Sequence, residues 1–130
     1  MNCEHRSWRW LGGCVCILVL LLPSARAADE AALRSAIAEA SAYLVDRGQA
    51  ADGGFSTQVG PAVTALAITA LVKTGTPCDA PAVEKGIGYL LRFKQPDGGI
   101  YPPDSFVSNY ETSIALVALA TCNRDGRYDG

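Results

Sequence analysis

The chain has 130 residues, 49% of them hydrophobic and 18% charged, with a formal net charge of −2. That length supports one small core, and a mildly acidic balance with no basic run excludes a nucleic-acid surface, because phosphate binding needs clustered positive charge.

Residues 1–27 read as an export signal. Arg6 and Arg9 supply a positive start, Leu11 to Leu22 an apolar run, Pro23 a break, and Ala25-Arg26-Ala27 a small-x-small cleavage site. The run is shorter than the roughly 20 residues a spanning helix needs, so no membrane span is expected once the leader is cut after Ala27. Cleavage also removes chemistry. His5, the only histidine, leaves with the leader, together with both tryptophans and Cys3, Cys14 and Cys16. Residues 28–130 cannot form a Ser-His-Asp triad, a Cys-His pair or a His-ligated zinc site from their own side chains. Of 11 Lys and Arg, Arg6, Arg9 and Arg26 lie in the leader, leaving 8; of 13 Asp and Glu only Glu4 does, leaving 12. The localisation expected is exported, periplasmic or secreted.

Four helices follow in chain order. Over 30–47, Leu33, Ile37, Ala40 and Leu44 form one apolar stripe. Over 61–74, Pro61 suits a first helical position and Gly75 a stop, and the helix between is apolar nearly all round, the mark of a buried helix. Over 81–93, Val83, Ile87, Leu90 and Leu91 point inward. Over 110–121 the chain is again apolar all round. No segment alternates as a strand would, so the fold class is all-α.

The order is amphipathic, buried, amphipathic, buried. Asp52-Gly53-Gly54 and Asp97-Gly98-Gly99 sit at matching places and read as tight reversals, Gly reaching positive φ without strain. Tyr43-Leu44 matches Tyr89-Leu90, and Thr64-Ala65-Leu66-Ala67 matches Thr112-Ser113-Ile114-Ala115. The halves, approximately 30–75 and 80–122, are an internal repeat of about 45 residues: outer helix, Gly turn, inner helix.

These repeats resemble the prenyltransferase and squalene-oxidase repeats of the terpenoid cyclase and protein prenyltransferase superfamily. The cyclase branch of that family repeats a basic and a small residue, an aromatic-aliphatic pair, then Gln, Gly and Trp at set intervals. Lys85-Gly86-Ile87-Gly88-Tyr89-Leu90 fits the start of this motif, with Lys94, Gly98 and Ile100 in the Gln, Gly and Trp places. In the first half Gln49, Gly53 and Phe55 take those places, and one extra residue separates Gln49 from Tyr43-Leu44. The resemblance implies an α/α toroid, here a partial one of two tandem helical hairpins. It also implies that Gln49 bonds free backbone groups at helix ends while Phe55 packs over the turn. The alternative for Gln49 and Lys94 is a solvated place at a helix end.

The family's catalytic motifs do not accompany its repeats. There is no Asp-x-Asp-Asp cluster for protonating a polyene, no Asp-Cys-His zinc set and no Cys-Gly-Glu-Gln thioester. Asp104, Glu111 and Arg92 are loose candidates for carbohydrate chemistry. Asn123 to Asp129 resembles part of a calcium loop without its bidentate Glu, and reads better as a helix-ending turn. No catalytic residue, metal or cofactor is assigned. Two hairpins fall short of the three or more that repeat stacks usually need, so a fragment with open inner helices is expected. The leading expectation is a non-catalytic exported module that binds a protein partner or a hydrophobic ligand. The alternatives are fragments of a squalene or terpene cyclase-like enzyme, or of an exported carbohydrate-active toroid. Cys78 and Cys122 lie at the same end of neighbouring hairpins. A bridge between them, worth about 4 kcal/mol in the chain-entropy treatment, and a pair of free thiols both remain open.

Overall fold

The computed structural model describes residues 28–128, so the leader expected over 1–27 lies outside the described residues. Helix α1 covers residues 28–43 and continues into one π-helical turn, Leu44–Gly48. A short 3₁₀ turn, Thr57–Val59, precedes α2 (Pro61–Lys73); α3 (Pro81–Leu91) and α4 (Ser108–Cys122) follow. No strand occurs among the described residues; Gln49 with Phe55 and Lys94 with Ile100 make only isolated antiparallel pairings. The fold is all-α, and no helix among the described residues is long and apolar enough to cross a membrane.

Local chemistry sets the ends. Pro61 and Pro81 open α2 and α3, where the N–H that proline lacks has no helical partner anyway. Gly75, at φ +109°, closes α2. Its N–H bonds the Val72 carbonyl at 3.2 Å, while the Thr76 N–H reaches back to the Leu71 carbonyl at 2.9 Å. This paired bonding satisfies carbonyls that the last turn would otherwise leave open. The π turn has a cause in the repeat. A single π turn absorbs one added residue in an α-helix, and the first half carries one more residue than the second between its Tyr-Leu pair and its Gly turn.

The chain divides into two units, with the boundary after Ala38. In the first, the described residues are helical and exposed throughout, and Arg34 pairs with Glu30 one turn away. In the second, α2 is central and packs on both α3 and α4. Ile68, Leu71, Val83 and Leu90 are fully buried at its heart, each contributing about 1.5–3 kcal/mol relative to exposure. Ala65, Ala115 and Ala118 are also fully buried, and side chains this small let helices approach closely. The end of α1 lies beside the end of α2, the hydroxyls of Ser41 and Thr74 being 3.2 Å apart, and Leu44 packs on the core.

Three expectations are corrected. The stripe of α1 is not covered: Leu33, Ile37 and Ala40 are exposed, and of that set only Leu44 meets the core. The corresponding stripe of α3 is buried because α2, the inner helix of the preceding hairpin, lies against it; no earlier hairpin stands among the described residues to do the same for α1. Leu91 is exposed, falling outside the face made by Val83, Ile87 and Leu90. Nor are the inner helices buried all round, since Leu66 on α2 and Tyr110, Leu116 and Val117 on α4 face solvent.

Candidate functional site

The two Asp-Gly-Gly turns fold alike, bond for bond. The Ala50 and Gln95 N–H groups donate to the Gly54 and Gly99 carbonyls, each at 2.8 Å, and the Gly53 and Gly98 N–H groups return to Ala50 and Gln95, each at 3.0 Å. Asp52 and Asp97 accept from the N–H two residues on, at 3.1 and 2.9 Å, the usual local bond of an Asp in a turn. Gly53 and Gly98 stand at φ +92° and +90°, where a side chain is strained. Each turn is then clasped by a threonine of the inner helix it leads into. Phe55 N–H donates to Thr64 Oγ1 at 2.8 Å, and Ile100 N–H to Thr112 Oγ1 at 3.1 Å. Thr64 is fully buried, so its hydroxyl is the acceptor for an N–H that water does not reach.

The surroundings of the turns differ. Gly53 and Gly54 are buried; a Cβ on Gly53 would stand 2.3 Å from the Lys85 carbonyl oxygen, and one on Gly54 would stand 2.6 Å from the Tyr89 ring. Gly86 on α3 is also close-packed, a Cβ there standing 2.9 Å from the Ile68 side chain. Gly98 is exposed, with no outside atom within 4 Å of its Cβ position. Gln49 follows the first pattern. Its amide donates to the Gly53 carbonyl at 2.9 Å and to the Ala82 carbonyl of α3 at 2.7 Å, while Phe55 is buried beside it. In the second turn the amide comes one residue later than expected. Lys94 occupies the matched position with an exposed side chain. Gln95 donates instead to the Tyr101 carbonyl at 2.7 Å and the Phe93 carbonyl at 3.3 Å. Lys has no amide, and the only signal for Gln95 was its adjacency. Ile100, without a ring, is nevertheless buried.

Several titratable side chains beside the two turns hold the turns in place. The Arg92 guanidinium lies 4.7 Å from the Tyr89 ring centre, donates to the Asp52 carbonyl at 3.1 Å and pairs with the Asp52 carboxylate at 3.5 Å. Both members of that ion pair are about half exposed, so the bridge itself adds little. Burial pushes the Tyr89 hydroxyl above its ordinary pKa; the Asp52 charge adds to this and Arg92 opposes it. The Tyr101 hydroxyl donates to Asp97, and that bond, with the Gly99 N–H, holds the Asp97 carboxyl below its ordinary range. Lys85 is exposed on α3, presenting its backbone to the first turn and its side chain to solvent.

Glu111 is the one buried acid among the described residues. It sits in the first turn of α4, accepts from Ser105 Oγ at 2.5 Å and abuts the start of α2, where a Cβ on Gly60 would stand 2.4 Å from Oε1. Asp104 is exposed in the loop before α4. Arg92 therefore serves the first turn and Glu111 the head of α4, and the three loose candidates make no hydrogen bond or ion pair with one another. Among the described residues no three His, Cys, Asp or Glu gather as a metal would require. In the calcium-loop-like run Asp125 is taken by Arg127, which holds its pKa low, and Asn123 accepts the Tyr128 N–H; it is a turn after α4.

Cys78 and Cys122 are joined, with Cα atoms 5.5 Å apart, within the normal bridging range. The bond ties the segment after α2 to the last residue of α4. An open cleft of about 490 Å³ lies over it, lined by Val72, Pro77, Asp79, Arg124 and Arg127 among others. Comparison with protein-family models, with curated proteins and with solved structures gave no match.

Proposed function

We propose that this chain is an exported, non-catalytic helical repeat module, of the kind found in prenyltransferase and squalene-oxidase repeats, which binds an apolar partner along its inner helices. The observation that carries this reading is the uncovered apolar surface on the helices whose opposite faces make the core: Leu66 on α2, and Tyr110, Leu116 and Val117 on α4, with Phe106 fully exposed in the loop before α4. Scattered exposed hydrophobics are ordinary, but runs of them along a helix face mark interaction surfaces. The non-catalytic part rests on the residues. Beyond Ala27 there is no histidine and no clustered acid motif, and Arg92 and Glu111 are spent on positioning the turns and the helix heads. Export and the toroid arrangement rest on the leader and the repeat pattern.

The test is a titration of an apolar fluorescent dye into the exported chain, at a dilution where light scattering gives a monomer. It is paired with a mass-spectrometric product assay on squalene, prenyl diphosphates and polysaccharides. Dye should bind the folded chain, binding should fall in a Leu66→Glu, Leu116→Glu double variant, and no product should form. A dye-silent monomer, or turnover abolished by replacing Glu111 or Asp104, would overturn the reading.

A further inference from the structure

The two halves are built alike but covered differently, and the differences are complementary. Matching Thr64 with Thr112 aligns α2 with α4. Ile68 is fully buried and its counterpart Leu116 is 57% exposed; Ala65 is fully buried and its counterpart Ser113 is exposed. On the other side of the same helices the order reverses. Ala118 is fully buried and Ile114 packs on the core, whereas their counterparts Ala70 and Leu66 are exposed, Leu66 at 46%. One face of the inner helix is thus closed in the first repeat and open in the second; the other is open in the first and closed in the second. The outer helices agree. Tyr89 on α3 is 4% exposed and its counterpart Tyr43 on α1 is 65% exposed, while Gly86 is buried and Ala40 exposed. The turns agree too, Gly53 being pressed against α3 and Gly98 meeting nothing.

These are the two halves of one interface, each already filled once inside the chain by the packing of the second repeat on the first. From this we infer that the partner is a second copy of the chain, docked head to tail. Ala40 and Tyr43 at the end of its α1, with the Leu66 side of its α2, lie on Leu116, Ser113 and the Gly98 turn of the first copy, repeating the packing of α3 and α4 on α2 and of Lys85 and Gly86 against the Gly53 turn and Ile68. This rests on the binding-module reading above and names its partner. Between copies of this chain, a two-fold pairing of α4 with α4 would cover Leu116 but leave Leu66, Ala70 and Tyr43 open, whereas the repeated head-to-tail step covers both sets. Such a contact is heterologous, so it propagates to a ring or a filament and does not stop at a dimer.

The experiment uses two half-exposed positions, one on each face. Light scattering should show the exported chain growing in mass with concentration beyond a dimer. Leu66→Glu and Leu116→Glu should each be monomeric, since each loses one of the two faces. An equimolar mixture of the two variants should double in mass and go no further, because the intact face of one meets the intact face of the other while both outer faces are blocked. Leu116→Glu alone falling to a monomer while Leu66→Glu keeps the parental mass would mean two-fold pairing and would overturn the inference, as would a mixture that stays monomeric. A parental chain that is monomeric at every concentration overturns it whatever the variants do, including any that fail to fold. If that monomer binds the dye, the binding-module reading stands and only the second copy is wrong.

Discussion

Gly53 and Gly98 offer a controlled comparison of backbone strain with steric contact. They occupy the same place in the same turn, with φ +92° and +90° and equal return bonds of 3.0 Å. Replacing either with alanine forces an L side chain into a region it rarely adopts, at about 1–3 kcal/mol, a term common to both. At Gly98 nothing more is added, because no atom lies within 4 Å of the new methyl group. At Gly53 the methyl group would meet the Lys85 carbonyl oxygen at 2.3 Å and its carbon at 2.7 Å. Those atoms are helix backbone and cannot swing aside, so α3 must move from α2 or the turn must open. Overpacking of this sort adds roughly 1–3 kcal/mol, and the sum approaches the whole stability of a marginal domain. The measurement is urea unfolding followed by far-UV circular dichroism, in the Leu116→Glu background so that both proteins are compared as monomers. Gly53→Ala should unfold at a clearly lower midpoint than Gly98→Ala. Equal losses would refute the claim that the first turn is locked against α3.

The threonine clasps allow a similar comparison. Thr64→Val keeps the shape but strands the buried Phe55 N–H, and should cost about 1–3 kcal/mol; Thr112→Val, at a partly exposed site, should cost less than half as much, and a larger loss at Thr112 would contradict the assigned burial. Replacing Cys78 and Cys122 together by serine should lower unfolding stability by about 4 kcal/mol in the chain-entropy treatment. Reductant should lower the parental midpoint to that of the variant, and no response to reductant would mean the thiols are not paired in solution.

Helix identity and the Asp-Gly-Gly turns were legible in the sequence because each rests on local chemistry: proline at helix starts, glycine where φ is positive, apolar spacing between. The likeness of the two turns was legible for the same reason, as was the extra residue before Gln49, where the structure has a π turn. Coverage was not legible. Leu33, Ile37 and Ala40 carry the same pattern as Val83, Ile87 and Leu90, but a stripe records only that a helix can be covered, not that a neighbour is there to cover it. The shift from Lys94 to Gln95 was hidden because either residue can fill a turn of this kind, and only the carbonyls of Phe93 and Tyr101 decide which side chain is used. The burial of Glu111 was hidden as well, since its partners Ser105 and Gly60 come from two different loops.

What the bonding pattern adds is rigidity at both ends of the inner pair. Near their N-termini, α2 and α4 are fixed by Thr64 and Thr112 to their own turns, and the Glu111 carboxylate wedges the head of α4 against Gly60 at the head of α2. At the other end the Cys78–Cys122 bond ties the segment after α2 to the last residue of α4. A helix pair pinned at both ends cannot splay to bury Leu66 or Leu116 within its own chain, so those faces stay open at a fixed spacing. Association then orders few groups that are not already ordered, which is the condition under which a modest apolar surface binds well. Opening the disulfide should therefore weaken association more than the loss of fold stability alone explains. Scattering mass measured on reduced but still folded chain separates the two, since a mass unchanged by reduction would show that the pinning plays no part in binding.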